Sequence, residues 1–178
     1  MTYKEAIAIP PGVSCVVEKD RITCSKGGKE ITRKVDAESL KLKVEGSNII
    51  FETKSDKKND LKVLRSYRAH INNMFYGLDE QFVYHLQTCN VHFPMTLKLE
   101  KNKLLINNFL GEKKQRSAEI IPSVTVDIKG ANITVSSHDR DAAGQTAENI
   151  EKATLVRNRD RRVFQDGIYI TDRPGRKL

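Results

Sequence analysis

Apolar and polar residues alternate over short stretches through most of the chain, which is the pattern of β-strands with one buried face. Glycine and polar turn residues separate these stretches, so neighbouring strands are expected to pair as antiparallel hairpins. The predicted strands are residues 13–17, 21–25, 29–35, 41–45, 48–53, 81–92, 95–99, 103–108, 124–128, 132–136 and 166–170.

A helical period replaces this alternation from Leu61, where apolar residues recur at steps of three and four. The stripe consists of Leu64, Tyr67, Ile71, Met74, Phe75 and Leu78. Asn59 and Asp60 are of the residue types that cap helix N-termini, and Gly77 is predicted to mark the end of the helix. The apolar face should therefore pack on the preceding strands.

A second helix is predicted from near Arg140, with Ser137 or Asp139 as its N-cap. Its inner stripe consists of Ala143, Thr146, Ala147, Ile150, Ala153 and Thr154. Because these side chains are small, this helix is expected to lie close to its sheet.

This order of elements occurs twice along the chain. Residues 18–22 (EKDRI) map onto residues 100–104 (EKNKL) with a shift of 82, and residues 45–49 (EGSNI) map onto residues 129–133 (KGANI) with a shift of 84. Such a period is too long for one solenoid unit and indicates a duplicated domain. The predicted fold class is α+β, with two tandem homologous domains (residues 1–80 and 81–178), each an antiparallel β-sheet packed with one α-helix.

Positive charge is concentrated at the C-terminal end of a chain whose net charge is +8. Residues 152–178 carry eight basic and three acidic side chains, whereas residues 81–151 carry eight of each and residues 1–80 carry fifteen basic and twelve acidic. A compact basic end predicts a polyanionic partner, most often nucleic acid. A solvated basic face that keeps the protein soluble is the alternative.

Catalytic and metal-binding patterns are not found in the sequence. It has no phosphate-binding loop, dinucleotide fingerprint or G-x-S-x-G motif, and its four histidines are not arranged with a nucleophile. Cys89 and His92 form a C-x-x-H fragment without the further ligands that a zinc site requires. We therefore expect no enzyme activity, no metal, no cofactor and no small-molecule substrate.

The three cysteines are odd in number and loosely spaced, which predicts no disulfide framework and a reducing compartment. Cys15 and Cys24 fall on paired strands, where they are expected to pack as small hydrophobes. No signal peptide and no apolar run of membrane-spanning length is found in the sequence. The expected location is the cytoplasm, without a membrane partner.

Two basic segments are the best candidates for contact with nucleic acid. The first is a loop after a hairpin that carries Lys113, Lys114 and Arg116. The second follows the second helix and continues to the C-terminus, with Arg157, Arg159, Arg161, Arg162, Arg173, Arg176 and Lys177. Guanidinium groups suit bidentate contact with phosphates, whereas a favourable interaction with the helix dipole explains only one or two of these arginines.

Gln165, Asp166 and Tyr169 add hydrogen-bonding and stacking groups beside these charges. A mixture of phosphate, sugar and stacking contacts is typical of proteins that bind folded RNA. The basic segments and these three residues together form the predicted RNA-binding site.

Four segments carry a resemblance to a known family. They are residues 64–77 (LRSYRAHINNMFYG), 92–95 (HFPM), 107–113 (NNFLGEK) and 160–170 (DRRVFQDGIYI). In these segments, and over essentially the whole chain, the sequence resembles the large-subunit ribosomal protein six family. The compact length and the sequence of residues 160–165 (DRRVFQ) favour its archaeal form.

This resemblance implies two similar sheet-and-helix domains and a structural and assembly role without catalysis. It implies binding to 23S-type rRNA, mainly through the second domain and tail, near the sarcin–ricin region where translational GTPases land. The implied location is the large ribosomal subunit in the cytoplasm, with other large-subunit proteins as neighbours. Because the first domain is nearly balanced in charge, an alternative is a protein-interaction module that recruits translation factors or neighbouring proteins.

Overall fold

Two compact units, Met1–Glu80 (unit 1) and Gln81–Leu178 (unit 2), make up the chain in the computed structural model. The structure describes residues 3–18, 20–35, 40–53, 55 and 57–177, with the side chains of all of these except Arg176 and Lys177. Throughout the described ranges the strands pair antiparallel and one α-helix accompanies the sheets of each unit. The predicted α+β class is confirmed.

Unit 1 contains two three-stranded sheets and one helix. Its elements are β1 Tyr3–Ala8, β2 Ser14–Glu18, β3 Arg21–Lys26, β4 Lys29–Lys34, β5 Leu40–Glu45, β6 Asn48–Thr53 and α1 Lys58–Asp79. The sheets have the strand orders β2-β3-β4 and β1-β6-β5. The predicted stripe of α1 faces the core, because Leu64, Ile71 and Leu78 are all nearly inaccessible to solvent.

Unit 2 repeats this plan and extends it. Its elements are β7 Phe82–Cys89, β8 Thr96–Glu100, β9 Lys103–Asn107, a 3-10 turn Phe109–Gly111, β10 Arg116–Glu119, β11 Thr125–Lys129, β12 Asn132–Ser137, α2 Arg140–Ala153, β13 Gly167–Arg173 and β14 Arg176–Lys177. One sheet has the order β10-β9-β8, and the other has the order β11-β12-β7-β13-β14.

Equivalent hairpins of the two units close in the same register. Glu18 pairs with Arg21 at the β2–β3 turn, as Glu100 pairs with Lys103 at the β8–β9 turn. The β5–β6 and β11–β12 turns each place a glycine at left-handed φ, with 59° at Gly46 and 60° at Gly130. The third strand is also equivalent, since β1 pairs with β6 and β7 pairs with β12. Strands β13 and β14 have no counterpart in the described part of unit 1.

The second helix packs closely on its sheet, as its Ala-rich stripe predicts. Ala143, Ala147 and Ile150 are fully buried. A Cβ atom added at Gly144 would lie 2.9 Å from the hydroxyl of Tyr84 on β7, so only glycine fits there without a shift. Asp139 is the N-cap of the two candidates, and its carboxylate accepts a hydrogen bond from the Asp141 amide at 2.9 Å.

Some predicted boundaries are wrong. The N-cap of α1 is Lys57 without a side-chain hydrogen bond, so Asn59 and Asp60 lie inside the first turn. Gly77 does not end α1, which continues to Asp79, because Gly77 lies on the buried face where tertiary packing outweighs its weak helix propensity.

The predicted strands also differ from the structure. Strand β7 ends at Cys89, three residues earlier than predicted. Strands β1, β10 and β14 were not predicted, because they are short and polar or lack a strong alternation.

Over the described residues, neither helix is long and apolar enough to cross a lipid bilayer.

Candidate nucleic-acid interface

The loop with Lys113 and Lys114 is shaped by an unusual backbone between β9 and β10. Asn108 and Leu110 adopt left-handed φ values of 60° and 50°, a conformation that L-residues rarely hold without support. The Asn108 side-chain amide donates to the Pro94 carbonyl at 3.0 Å, which supplies part of that support. The resulting reversal leaves the side chains of Lys113 and Lys114 exposed to solvent.

Arg116 fastens this loop to the end of α2. Its guanidinium donates to both carboxylate oxygens of Glu112, at 2.8 and 2.6 Å, and to the carbonyls of Ala153 and Leu155, at 2.9 and 3.3 Å. It also lies 4.2 Å from the centroid of the Phe109 ring. The hydrogen bond from Arg116 holds the pKa of Glu112 below its ordinary value, although partial burial opposes this. Arg116 therefore positions the loop and uses most of its donors in doing so.

Replacing Arg116 by Lys should lower the free energy of unfolding by about 1–2 kcal/mol, because the charge is kept but the bidentate pair and the carbonyl contacts are lost. Chemical denaturation measures this difference, and hydrogen exchange of residues 111–115 should become faster. The matched control is Lys114→Arg, an exposed site where the reverse change should have no effect. Equal stability of Arg116→Lys and the unchanged chain would contradict the positioning role.

The segment after α2 is a tight turn organised by Asp160. Its carboxylate accepts from the amide of Arg162 at 2.9 Å and from the guanidinium of Arg162 at distances of 2.7 to 3.2 Å. These bonds lower the pKa of Asp160. The Asp160 carbonyl accepts from the amides of Val163 and Phe164. Arg162 is thus partly neutralised, although its side chain remains 90% exposed.

The ring of Phe164 connects this segment to the loop after β7. The Arg159 guanidinium lies 4.8 Å from the centroid of Phe164, and the His92 ring stacks on Phe164 at 5.1 Å with an interplanar angle of 26°. Arg159 also contributes to lowering the pKa of Glu112, so its charge is close to the 109–116 loop.

The 109–116 loop also meets the loop after β7, since a Cβ atom at Gly111 would lie 3.5 Å from the Phe93 ring. Residues 91–93, 109–116 and 157–164 therefore meet at one place, which we call the three-loop surface.

Asp166 supports this surface from beneath. Its carboxylate is 1% exposed and accepts from the amides of Val91 and His92, at 2.8 and 2.9 Å, and from the His92 Nδ1 at 2.6 Å. Burial raises the pKa of Asp166, but the His92 amide and imidazole and the Val91 amide outweigh it, so the pKa lies below its ordinary value. The sequence-based expectation of a direct RNA contact is corrected, because a buried and fully bonded carboxylate offers no group to a ligand.

Gln165 and Tyr169 remain at the surface. The Gln165 side-chain amide donates to the Arg162 carbonyl at 3.1 Å, and the Tyr169 hydroxyl donates to the Gln165 carbonyl at 3.2 Å. Tyr169 and Arg161 also line a cavity of about 300 Å³ between the end of α2 and β13. Gln165 and Tyr169 are therefore both exposed to solvent and anchored by hydrogen bonds to the backbone.

The predicted site residues are only partly brought together. Lys113, Lys114, Arg157, Arg159 and Arg161 are exposed on or beside the three-loop surface. Arg173 is exposed farther along β13. The pKa of Glu148 on α2 is lowered mainly by the hydrogen bond from Lys152, with a smaller effect of the Arg173 charge. The side chains of Arg176 and Lys177 lie outside the described part of the chain.

Sequence reasoning missed three aromatic side chains of this surface, His92, Phe93 and Phe164. His92 was weighed as a metal ligand and as a catalytic base, and it lies in one of the segments that carry the family resemblance, whereas in the structure it binds Asp166 and stacks on Phe164. Aromatic residues in loops next to basic segments are a usable signal for such a surface. In the described ranges, no group of three or more His, Cys, Asp or Glu side chains is placed to hold a metal ion.

Comparison with known proteins agrees with the sequence resemblance. A family model described as Ribosomal protein L6 matches residues 93–167, which include most of the three-loop surface. The large ribosomal subunit protein uL6 of Methanococcus vannielii is 39% identical over 175 residues, covering 98% of this chain and 96% of that protein. The uL6 protein of Methanobrevibacter smithii is 36% identical over 167 residues, covering 94% of each. Since the matches to the two uL6 proteins extend over both units, the chain belongs to the ribosomal protein L6 family, in its archaeal form.

Proposed function

We propose that this protein is a structural constituent of the large ribosomal subunit and binds 23S-type rRNA through unit 2. Membership of the ribosomal protein L6 family supports a structural ribosomal role rather than an enzymatic one. The observation that carries the RNA contact is the three-loop surface, where exposed lysines and arginines surround a stack of aromatic rings. The loops that carry these charges are held by Arg116, Asp160 and Asp166, so their backbone is positioned before RNA arrives.

Different residues of this surface make different kinds of contact with RNA. Lys113, Lys114, Arg157, Arg159 and Arg161 neutralise phosphates, and the rings of His92 and Phe164 offer a face for an unpaired base or ribose. Arg162 contributes a guanidinium whose charge is shared with Asp160. Arg173 adds an exposed charge farther along β13. Arg176 and Lys177 add two basic residues to the C-terminal segment of the sequence. Gln165 and Tyr169 add hydrogen bonds and a further ring. Arg116 and Asp166 act through the loops that they hold.

The family resemblance also supports a finer placement. We propose that unit 2 docks near the sarcin–ricin region of the rRNA, beside the site where translational GTPases land, and supports assembly of the subunit. In that location the protein's neighbours are rRNA and other large-subunit proteins. The cytoplasmic ribosome is the corresponding location in the cell.

Unit 1 has a different candidate role, namely contact with neighbouring proteins. In the described part of unit 1, β1 pairs only with β6, whereas the equivalent strand β7 of unit 2 pairs with both β12 and β13. The outer edge of β1 therefore keeps backbone donors and acceptors that a partner strand can use. A nearly balanced charge also suits a protein partner better than RNA.

Binding to a large-subunit rRNA fragment that contains the sarcin–ricin stem tests the proposed function. We expect tight binding, in which the logarithm of the binding constant falls linearly with the logarithm of salt concentration. For about five to six phosphate contacts, the slope should have a magnitude of about 4–6. Sucrose-gradient sedimentation of native lysate should place the protein with the large subunit until high salt releases it. A protein that stays at the top of the gradient, or binds unrelated structured RNA equally well, would overturn the proposal.

A further inference from the structure

Two cysteines of unit 1 face each other across a strand pair. Cys15 on β2 is in register with Cys24 on β3, and their Sγ atoms are 3.0 Å apart. Directly opposed residues of antiparallel strands have Cα atoms about 4.5–5.5 Å apart, within the range of about 4.4–6.8 Å that disulfides span. Both cysteines are free thiols in this structure. Joining them therefore needs little movement of the backbone.

The two thiols differ in their access to solvent. Cys24 is completely buried in the core of unit 1, next in alternation to the buried Ile22. Cys15 is only partly buried and packs at the margin of the same core. Cys15 is therefore the thiol that a small reagent from solution reaches more readily.

The two thiols also differ in pKa, which gives them different roles in a reaction with a disulfide. The hydrogen bond from Cys24 lowers the pKa of Cys15, against the opposing effect of burial. The same hydrogen bond, burial and the negative charge of a Cys15 thiolate all raise the pKa of Cys24. Cys15 is thus the sulfur that ionises first and attacks, since the thiolate is the nucleophile in thiol–disulfide exchange.

We propose that Cys15 and Cys24 form a dithiol site that low-molecular-weight disulfides oxidise to a cross-strand disulfide. The Cys15 thiolate attacks one sulfur of the reagent, the reagent's S–S bond breaks, and the first thiol leaves with a proton from solvent. The Cys24 sulfur then attacks Sγ of Cys15 in the mixed disulfide, and its proton goes to the second leaving thiol. The protein loses two electrons and two protons, and the reagent is reduced to two thiols.

Cys89 provides an internal comparison. It is also partly buried, at the end of β7, but the chain has no fourth cysteine and the other two belong to unit 1. Within unit 2, a reagent that reaches Cys89 forms at most a mixed disulfide, because that unit has no second cysteine. Selectivity for the pair over Cys89 therefore separates an opposed dithiol from general reactivity of thiols.

The test treats the folded full-length chain with oxidised glutathione, quenches with acid, and analyses tryptic peptides without reduction. Trypsin cuts after Lys19 and Arg21, so Cys15 and Cys24 fall on separate peptides, residues 5–19 and 22–26. We expect these two peptides to be found joined, with the loss of two of the three free thiols. In denaturant, where the register is lost, oxidation of this pair should become slower and pairings with Cys89 should appear beside it, although the short loop between Cys15 and Cys24 still favours their pairing.

A Cys24→Ala variant tests the order of the steps, with folding checked by circular dichroism. It should accumulate a glutathione adduct on Cys15, because the resolving thiol is absent. A lasting adduct on Cys15 of the unchanged chain, with Cys24 still a thiol, would overturn the proposal. So would modification of Cys89 alone. The unchanged chain decides the question by itself if the variant does not fold.

Discussion

A triple substitution of Arg157, Arg159 and Arg161 by Ala should weaken binding to the rRNA fragment by about a hundredfold to a thousandfold at moderate salt. Charge-assisted hydrogen bonds to phosphate contribute about 1.5–3 kcal/mol each, and three that are partly exposed together account for about 3–4 kcal/mol. The salt slope should fall in magnitude by about two to three, because fewer counterions are released on binding. Fluorescence anisotropy titrations over a range of salt concentrations measure both quantities.

The control for this variant removes the same charge elsewhere. Lys29, Lys41 and Lys62 of unit 1 are exposed, so the triple change to Ala lowers the net charge equally without touching the three-loop surface. Its affinity and salt slope should stay close to those of the unchanged chain. Equal losses in the two triple variants would mean that binding follows net charge alone, which contradicts a defined site.

Arg162 is left unchanged in the test because its guanidinium also builds the turn around Asp160. Removing it would mix loss of a phosphate contact with loosening of the segment. Arg157, Arg159 and Arg161 are exposed and form no ion pair among the described residues. Because only the contact of Arg159 with the Phe164 ring is lost, the unfolding free energy of the triple variant should fall by no more than about 1 kcal/mol. Thermal unfolding of the triple variant, compared with that of the unchanged chain, measures this difference.

Local sequence patterns account for the architecture well. Alternating residues and shared turns predicted the paired strands on both sides of Gly46 and Gly130, because period-two burial and a left-handed glycine are local requirements. The stripe of α1 was predicted because its spacing is repeated over several turns. The end of α1 beyond Gly77 was not, since burial of that glycine depends on packing that no local pattern records.

The candidate site was predicted by composition but not by role. Arg116 and Asp166 have the residue types of an exposed polar surface, and nothing near them in the chain distinguishes them from Lys114 or Asp160. Their partners are distant in sequence, since Arg116 meets the end of α2 and Asp166 meets residues 74 and 75 positions earlier. Only the tertiary fold shows that these two charged groups support the loops.

Replacing Asp166 by Ala should lower the unfolding free energy by about 3 kcal/mol at neutral pH, because the amides of Val91 and His92 lose their acceptor in a buried place. Asp166→Asn should cost less, since its carbonyl oxygen can still accept from both amides while its NH₂ faces the His92 imidazole. Chemical denaturation of both variants measures these costs. Asp127→Asn, an exposed carboxylate on β11, is the control for the charge change and should have little effect.

The same variants should reveal a pH dependence. The pKa of Asp166 is lower in the folded state than its ordinary value of 3.8, so its ionisation stabilises the fold above that value. This stabilisation is lost as pH falls through the folded pKa. The difference in unfolding free energy between the unchanged chain and Asp166→Asn should therefore be constant above about pH 5 and shrink as pH falls towards about 2. A difference that does not change with pH would contradict the assignment.

RNA binding by Asp166→Asn separates positioning from contact. A buried carboxylate that only holds residues 91–93 adds no phosphate contact, so its loss should weaken affinity for the rRNA fragment while leaving the salt slope unchanged. The triple arginine variant should change the slope as well as the affinity. An altered slope in Asp166→Asn would mean that loosening this loop also displaces Arg159, whose ring partner Phe164 stacks on His92. The slope therefore reports how rigidly the buried carboxylate couples to the cations above it.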